Sequence, residues 1–378
     1  MRLMFLCGGT SVFGMEKVAL TLMKGLQDRG HEVFCVASGW TDGDYPARLA
    51  RLGIPFDQVY LGKITKRLHP KYLWWMTNTL LHWPWAWLRV RSLLNGFRPD
   101  VVLLYQPDHL LLIHGLLKRQ RCLFHVHSLG IPGFNRPWLL RWTDPLVARY
   151  VAVSCFVQED LLARGIAPEK TCVIYNGLDA PAAHPRGQEG GLPGRPVRIG
   201  IVGQIGAWKG HLDFVDALAL LAKKGLPFEG HIYGEGSPEF KAELRRKIEA
   251  LDLDERVLWH GYVKGMEAAF RFLDIVAVPS VAEDPAPLVA CEAGLRGLPA
   301  VVTRRGGLPE IVEDGETGFI VETQRPDQLA DRLGRLIGDP ALRRTMGEKA
   351  RERIAERFSQ ERMVAEFEAL CRALAAHA

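Results

Sequence analysis

The chain lacks paired cysteines. Its seven cysteines stand singly at positions 7, 35, 122, 155, 172, 291 and 371, and no two of them form a Cys-x-x-Cys pair. This spacing argues against a disulfide framework and against a structural zinc site, and it fits a reducing compartment. The first apolar run, residues 3–7, ends at two glycines. We expect it to be a first buried strand, because it is too short for a signal peptide.

The chain also lacks a long hydrophobic run. Its most apolar stretch, residues 72–88, carries no formal charge but contains Asn78, His82 and Pro84. About 20 apolar residues are needed to cross a bilayer as a helix, so this stretch stands at the lower limit. The pattern favours a buried or interfacial amphipathic helix over a transmembrane one.

Acidic residues are absent between Asp57 and Asp100, whereas seven basic residues and five of the ten tryptophans fall there. The formal net charge of the whole chain is only +5, so this asymmetry indicates a partner. Trp with flanking Lys and Arg is typical of segments at an anionic membrane surface, although a tryptophan patch packed on its own domain remains an alternative. The membrane-facing candidates are Lys66, Arg67, Lys71, Trp74, Trp75, Arg89 and Arg91.

Short apolar runs alternate with helical patterns along most of the chain, which predicts parallel sheets covered on both faces. A stretch rich in Pro, Gly and Ala, residues 179–196, is the clearest linker. We therefore predict an α/β protein with two Rossmann-like doubly wound domains facing a cleft. The predicted domains are 1–178 and 197–358, and a C-terminal helix in 359–378 is expected to cross back to the first domain.

Three strand–glycine–helix turns are candidate phosphate sites, because a helix N-terminus presents free backbone N–H groups. The first runs from Gly8 to Gly14, but Met15 stands where a Walker A loop has its lysine. The chain also lacks the Gly-x-Gly-x-x-Gly fingerprint of nicotinamide enzymes in these turns. The second turn, residues 203–210, supplies Lys209 as a point charge for a phosphate. The third, residues 306–312, places Pro309 where a first helical turn accepts proline.

Asp284 precedes Glu292 by eight positions in the segment PSVAEDPAPLVACEAG, where a strand end leads through a loop into a helix. Ligands of open α/β sheets bind at the carboxyl ends of strands, so these carboxylates are candidates for gripping sugar hydroxyls. A helix-capping Asp followed by a solvated Glu is the structural alternative.

In this order, the segments GGTSVFGMEKVALTL, VIYNGLD, VGQIGAWKGHLDFVDAL, YGEG, PSVAEDPAPLVACEAG and GGLPEIVEDGETGFIV resemble the retaining, nucleotide-sugar-dependent glycosyltransferases of family 4. The similarity runs from about residue 1 to residue 360 and is most specific in the second half. It implies the GT-B fold and a nucleotide-sugar co-substrate, with no cofactor and no metal.

The resemblance implies roles for individual residues. Glu292 would hold the nucleotide ribose, and Asp284 or the adjacent Glu283 a donor-sugar hydroxyl. Lys209 matches the lysine that binds the diphosphate, whereas Gln204, which follows Gly203, replaces its usual arginine partner. Three further donor contacts are implied. The first-domain loop would approach the diphosphate at Gly14, and the base would contact the backbone near Val263. The backbone N–H groups of Leu288 and Val289 would face the phosphates or the sugar of the donor.

The resemblance also implies that a histidine at the end of a first-domain strand faces the donor sugar. In FHVHSLG, strand alternation puts His125 and His127 on one face, and His127 is the better match. We expect a lipid-linked or glycan acceptor, no nucleic-acid partner, and a cytoplasmic location, peripheral on the inner face of the membrane. A soluble transferase making a small glycoside, or a non-catalytic nucleotide-binding relative, is the alternative.

Overall fold

The computed structural model describes residues 1–9, 11–62, 70–129, 137–179, 195–263 and 266–376. The chain divides into two compact units. The first unit comprises Met1–Gly177 together with Gln360–Ala378, and the second comprises Leu178–Ser359. Residues 180–194 of the predicted linker lie outside the described residues, as do Lys66 and Arg67. The backbone positions of Lys71 and Trp75 are described, but their side chains are not.

The described part of the first unit contains seven parallel strands in the order β3-β2-β1-β4-β5-β6-β7. The strands are β1 (Arg2–Leu6), β2 (Glu32–Ser38), β3 (Phe56–Val59), β4 (Val101–Leu104), β5 (Cys122–Val126), β6 (Val147–Ala152) and β7 (Thr171–Val173). The helices are α1 (Gly14–Asp28), α2 (Asp44–Arg51), α3 (Pro70–Phe97), α4 (Pro107–Leu112), α5 (His114–Leu117), α6 (Pro137–Thr143) and α7 (Cys155–Ala163).

The described part of the second unit repeats this plan with six parallel strands in the order β10-β9-β8-β11-β12-β13. The strands are β8 (Val197–Val202), β9 (Phe228–Tyr233), β10 (Val257–Gly261), β11 (Ile275–Val278), β12 (Ala300–Thr303) and β13 (Gly318–Val321). The helices are α8 (His211–Lys223), α9 (Pro238–Ala250), α10 (Met266–Phe270), α11 (Leu288–Leu295), α12 (Leu308–Ile311), α13 (Pro326–Gly338) and α14 (Pro340–Arg357).

The last helix, α15 (Gln360–Ala376), belongs to the first unit. Its Phe367 is fully buried and contacts the ring of His125, with 4.9 Å between ring centroids. The side chain of Glu368 accepts hydrogen bonds from Arg29 and from His31, at 2.8 and 3.0 Å. The end of the chain thus completes the core of the unit that contains its beginning.

The central strands of each sheet are apolar on both faces, as is usual for a parallel sheet that is covered by helices on both sides, so each hydrophobic core lies along these strands. Every residue of β4 is buried, and so is every residue of β11. The order of both sheets reverses beside the first strand, between β1 and β4 and between β8 and β11. These reversals are topological switch points, where doubly wound sheets leave a crevice for ligands. The prediction of two doubly wound α/β units is confirmed.

Helix α3 contains the tryptophan-rich stretch and is buried along one side only. The inward side includes Thr79, Ala86, Val90 and Leu94, which are at most 5% exposed. Pro84 lies within the helix. Among the described residues, no helix combines the length and apolar character needed to cross a bilayer.

Candidate functional site

The loops after β8 and β11 meet at the switch point of the second sheet. The amides of Val281 and Ala282 both donate to the carbonyl of Trp208, at 2.9 and 3.1 Å. Gly210 has a φ of +75°, and a Cβ atom there would overlap the carbonyl group of Pro279. A glycine is therefore required where the first loop turns into α8. This close approach holds Lys209, one residue earlier, against the second loop.

Lys209 and Asp284 form an ion pair across these two loops. Their side chains are only 17% and 12% exposed. The ammonium group of Lys209 also lies 4.3 Å from the ring centroid of Trp208, which is a cation–π distance. The structure thus brings together two of the predicted site residues. The carboxylate neutralises the lysine that is predicted to bind a diphosphate.

The neighbouring carboxylate, Glu283, has different partners. It accepts a hydrogen bond from the guanidinium of Arg305 at 2.9 Å and from the amide of Gly306 at 2.6 Å. Gly306 has a φ of +54°, and a Cβ there would overlap the backbone of Asp284. Glu283 therefore ties the loop after β12 to the loop after β11. The side chain of Glu283 thus stabilises the loop, whereas the side chain of Asp284 pairs with Lys209.

Helix α11 begins at Leu288, directly after this loop, and Glu292 lies within it. Its N-cap is Pro287, whose side chain makes no capping hydrogen bond. The first-turn N–H groups of a helix, here including those of Leu288 and Val289, have no partner within the helix. This N-terminus is a suitable place for negative charge at the same sheet edge as Lys209.

The remaining donor-binding candidates lie along the same edge. Gly203 directly follows β8, and its amide donates to the carbonyl of Tyr233 at 3.0 Å. Gln204 is exposed. Val263 is half-buried and lies two residues beyond the end of β10. Their roles toward a donor remain predictions.

The first unit contains a cavity of about 300 Å³ beside its own switch point. Its apolar lining consists of Phe13, Met15, Pro107, Phe124 and Val126. Its polar lining consists of Glu16, Tyr105, His127 and Ser128. The cavity thus has the size and the mixed lining of a small-ligand site, with apolar walls and a few polar groups.

The predicted His127 lies in this lining, beside His125. The two imidazole rings are 4.1 Å apart between centroids, as expected for residues on one face of a strand. Tyr105 stacks on His127 at 5.6 Å. Burial lowers the pKa of His127 to about 3 and the pKa of His125 well below its usual value. Both rings are therefore neutral at neutral pH.

Several polar atoms of this cluster are buried without a hydrogen-bond partner in the described part of the chain. They are Tyr105 Oη, His127 Nε2 and both ring nitrogens of His125. A buried polar group without a partner is unfavourable by about 1–3 kcal/mol. Tyr105 and His127 line the cavity, so their polar atoms are candidate partners for a ligand there.

Glu16 was not predicted, yet it organises the glycine loop. It is 3% exposed, and its carboxylate accepts a hydrogen bond from the amide of Phe13 at 3.1 Å. A Cβ on Gly9 would lie 2.7 Å from its other carboxylate oxygen. The carboxylate thus occupies the N-terminus of α1, where Gly14 is the first helical residue. Only the glutamate half of a capping box is present, because the N-cap residue, Phe13, makes no side-chain capping hydrogen bond.

The outward side of α3 is apolar as well as basic. Leu81 and Trp85 are 67% and 75% exposed, and Leu88 follows at helical spacing. The exposed large apolar side chains of this helix are Trp74, Leu80, Leu81, Trp83, Trp85 and Leu88, which we call the α3 apolar face. They are flanked by Arg89, which pairs with Asp57, and by Arg91, which lies 5.6 Å from the ring of Trp87.

Some tryptophans of α3 also make contacts within the first unit. Trp83 donates from its indole nitrogen to the carbonyl of Leu112 at 2.6 Å. Trp74 contacts Trp40 edge to face, at 6.1 Å between centroids. The side chains therefore combine packing with exposure: part of the stretch packs on its own domain, and a contact with a membrane stays a prediction.

Sequence comparison matches both halves of the chain to glycosyltransferase families. The family described as Glycosyltransferase Family 4 matches residues 12–180, and the family described as Glycosyl transferases group 1 matches residues 187–353. The structure of HepE from Anabaena in complex with UDP has a TM-score of 0.81, with 23% identity over 99% of this chain and 100% of that one.

Two curated relatives are more similar in sequence over shorter segments. The N-acetyl-alpha-D-glucosaminyl L-malate synthase of Bacillus anthracis is 33% identical over 37% of this chain, and the match covers 36% of that protein. The D-inositol 3-phosphate glycosyltransferase of Arthrobacter sp. (strain FB24) is 36% identical over 45% of this chain, and the match covers 41% of that protein. The chain thus matches well under half the length of these two relatives.

Proposed function

Since this chain belongs to the family 4 glycosyltransferases and has their GT-B fold, we propose that it is a retaining glycosyltransferase. It moves a sugar from a nucleotide-sugar donor to a lipid-linked or glycan acceptor, in the synthesis of a cell-envelope polysaccharide or glycolipid. The observation that carries this proposal is the Lys209–Asp284 pair at the switch point of the second sheet. The donor binds there in this proposal, and HepE, a protein of the same fold, has been solved in complex with UDP.

The proposed chemistry requires stabilisation of a leaving nucleoside diphosphate. As the bond between the anomeric carbon and the phosphate oxygen breaks, negative charge develops on the phosphate. Lys209 and the first-turn amides of α11 at Leu288 and Val289 stabilise this charge, in place of a metal ion. An acceptor hydroxyl forms its new bond on the same face of the sugar, and its proton passes to the leaving phosphate oxygen. Retention then requires no enzymic nucleophile.

Two carboxylates orient the donor in this scheme. Glu292 holds the ribose and Asp284 a hydroxyl of the transferred sugar, while Glu283 keeps the loop in place through Arg305 and Gly306. The diphosphate has to attract Lys209 away from Asp284. This exchange frees the Asp284 carboxylate for the sugar at the moment when the donor arrives.

A thermal-shift screen against UDP-, GDP- and ADP-sugars, followed by a transfer assay, tests the donor proposal. We expect one nucleotide to stabilise the wild type, and transfer to be lost in the double variant with Asp284→Ala and Glu292→Ala. Transfer that persists in this variant would show that the site lies elsewhere.

The acceptor side of the proposal rests on α3. Its apolar face exposes Leu81 and Trp85 to solvent, and Arg89 and Arg91 flank it. Exposed apolar patches of this kind mark interaction sites, and Trp with basic neighbours suits an anionic lipid surface. The enzyme would then work as a peripheral protein on the cytoplasmic face of the membrane, where a lipid-linked acceptor is presented.

Flotation with anionic vesicles tests the membrane step separately. We expect binding that falls as salt rises and is lost when Leu81 and Trp85 are both replaced by serine. Vesicles of phosphatidylcholine alone are the control. Absence of binding at low salt would leave a soluble transferase that makes a small glycoside. The two curated relatives are named for the small molecules malate and inositol 3-phosphate, which favours that alternative.

A further inference from the structure

We propose that His231 and His260 position the loop after β10 for the nucleotide of the donor, and that protonation of both rings separates them and weakens donor binding. This inference rests on the proposed function, in which the base of the donor contacts the backbone near Val263. The two residues, called the histidine pair below, belong to β9 and β10 of the second unit. They act through the backbone that follows them, as positioning residues.

A β-bulge places His260 beside His231. The pairing of β10 with β9 shifts between Trp259 and Gly261, so His260 is an extra residue in its strand. Its Nε2 atom lies 2.9 Å from Nδ1 of His231, which is a hydrogen-bond distance. The ring of Tyr233 stacks on His260, with 4.2 Å between centroids and 8° between planes. These two contacts hold the bulge at the end of an edge strand.

The bulge sets the course of the backbone at the carboxyl edge of the sheet. Directly after His260, Gly261 has a φ of +64°, and its carbonyl accepts a hydrogen bond from the amide of Gly234 at 2.8 Å. Gly234 follows β9, and a Cβ atom there would overlap the carbonyl group of Gly203, which follows β8. The ends of three neighbouring strands are thus in contact, and Val263 lies two residues beyond Gly261. A displacement of His260 would therefore move the backbone at the edge where α/β sheets bind ligands.

The charged groups around the histidine pair compensate only part of an added positive charge. Among the described residues, these groups are Arg198 on β8, Glu229 on β9, Glu235 in the loop after β9, and Lys241 and Arg245 on α9. A carboxylate oxygen of Glu229 lies 3.5 Å from Nε2 of His231 and 3.4 Å from Arg198. Glu235 pairs with Lys241 at 2.8 Å. Both carboxylates therefore already have a cation partner.

Full protonation opposes the hydrogen bond of the pair. One ring donates and the other accepts, whereas two imidazolium rings have only donors and repel each other. Burial, and after it the charge of His260, lowers the pKa of His231, although Glu229 acts in the opposite direction. Burial also lowers the pKa of His260. Solvated imidazole has a pKa of about 6.5, so a fall in pH favours the arrangement in which the rings are separated.

Isothermal titration calorimetry of the full chain with a nucleotide-sugar at pH 7.5, 6.5 and 5.5 tests the proposal. The probe is whichever of UDP-, GDP- and ADP-glucose stabilises the wild type. Both phosphates of such a probe are esterified, so it lacks the second ionisation that a terminal phosphate has near about pH 6. We expect the Kd of the wild type to rise at least about fivefold from pH 7.5 to pH 5.5. Binding at pH 6.5 should release protons to the buffer, because linkage between proton and donor is reciprocal.

His260→Gln distinguishes this role from a purely structural one. The amide of glutamine can donate to His231 or accept from it, but it does not titrate. The Kd at pH 7.5 should therefore stay within about twofold of the wild type, and the rise toward pH 5.5 should fall below about twofold. The double variant with His231→Gln should behave in the same way, because both substitutions remove one interaction.

His109→Gln is the matched control. His109 is another buried histidine whose pKa is lowered, and it belongs to the first unit. This variant should keep the rise in Kd that the wild type shows.

Two results would overturn the proposal: a Kd of the wild type that is constant from pH 7.5 to pH 5.5, or an equal rise in His260→Gln. In either case, transfer that is lost in the double variant with Asp284→Ala and Glu292→Ala leaves the proposed function standing. If the protein neither binds nor uses any nucleotide-sugar, the proposed function itself fails.

Discussion

The ion pair between Lys209 and Asp284 predicts that removing either partner has opposite effects on nucleoside diphosphate binding. The carboxylate of Asp284 neutralises the ammonium group of Lys209 in the structure. A diphosphate therefore competes with Asp284 for Lys209. Lys209→Met removes the cation that the diphosphate needs, so affinity should fall. Asp284→Asn removes only the competitor, so the affinity for the nucleoside diphosphate should rise even though sugar transfer is impaired.

The size of each effect follows from burial. The two side chains are 17% and 12% exposed, so the pair lies between a solvated ion pair and a fully buried one. A hydrogen bond to a charged group contributes about 1.5–3 kcal/mol, which for Lys209→Met corresponds to a Kd about 10- to 100-fold higher. Exposed ion pairs contribute up to about 1 kcal/mol, so Asp284→Asn should lower the Kd up to about fivefold.

Calorimetric titration with the nucleoside diphosphate of the preferred donor measures both effects. The transfer rate, measured in parallel, should fall in both variants. Lys247→Met serves as the control, because Lys247 pairs with Asp216 in the same unit and lies outside the proposed site; its Kd should equal that of the wild type. The double variant should bind like Lys209→Met, since the competitor has no effect once the cation is gone.

One result would refute this reasoning. If Asp284→Asn weakens nucleoside diphosphate binding as much as Lys209→Met, the carboxylate assists the diphosphate and does not compete with it. A normal thermal unfolding transition in both variants would show that the loss did not come from unfolding of the loop.

Three further predictions concern stability and surface. Glu283→Gln should lower the free energy of unfolding by about 1–2 kcal/mol, because a charged partner of Arg305 is lost, and chemical denaturation measures this change. The Kd of nucleoside diphosphates should stay unchanged, which calorimetric titration of the same sample measures. Burial lowers the pKa of His109 to about 4. Between about pH 6 and pH 4 the unfolded chain therefore binds a proton at this residue that the native chain does not, so the free energy of unfolding falls as the pH falls. His109→Gln should reduce the slope of the free energy of unfolding against pH by up to about 1.4 kcal/mol per pH unit. Urea titrations at pH 7, 6 and 5 measure this slope. Replacement of Leu81 and Trp85 by serine should leave the Tm within about 2 °C of the wild type, since both side chains are largely exposed; a larger fall by calorimetry would mean that the α3 apolar face supports the fold.

Much of the fold could be predicted because its signals are local. Runs such as Cys122–Val126, Val197–Val202 and Ala300–Thr303 are mostly apolar, and each of them is a strand. Two strands of the first unit carry weaker local signals. Phe56–Val59 has two polar residues among four, and Thr171–Val173 has only three residues. Such segments become strands because a neighbouring strand pairs with them, which is a tertiary effect.

Some residues of the candidate site could likewise be predicted from local sequence signals, and others could not. Lys209, Asp284 and Glu292 could be proposed from glycine turns and from a spacing of eight residues. Glu16 follows an N-cap Phe13 rather than Ser or Thr, so it lacked the usual capping-box signal, and the place of Tyr105 beside His127 had no local signal either. Tyr105 directly follows β4, and the packing of β4 against β5 decides which side chains its ring contacts.

By itself, the sequence determined the alternation of strands and helices, the two doubly wound units, and the loops in which charged and small residues stand. Only the tertiary structure decided which of two adjacent carboxylates faces Lys209, a residue 75 positions away. It also decided that Glu283 accepts a hydrogen bond from Arg305, and that Tyr105 and His127 line one cavity in the first unit. The reason is that parallel strands bring their carboxyl ends to one edge of a sheet, so residues far apart in the chain become neighbours there.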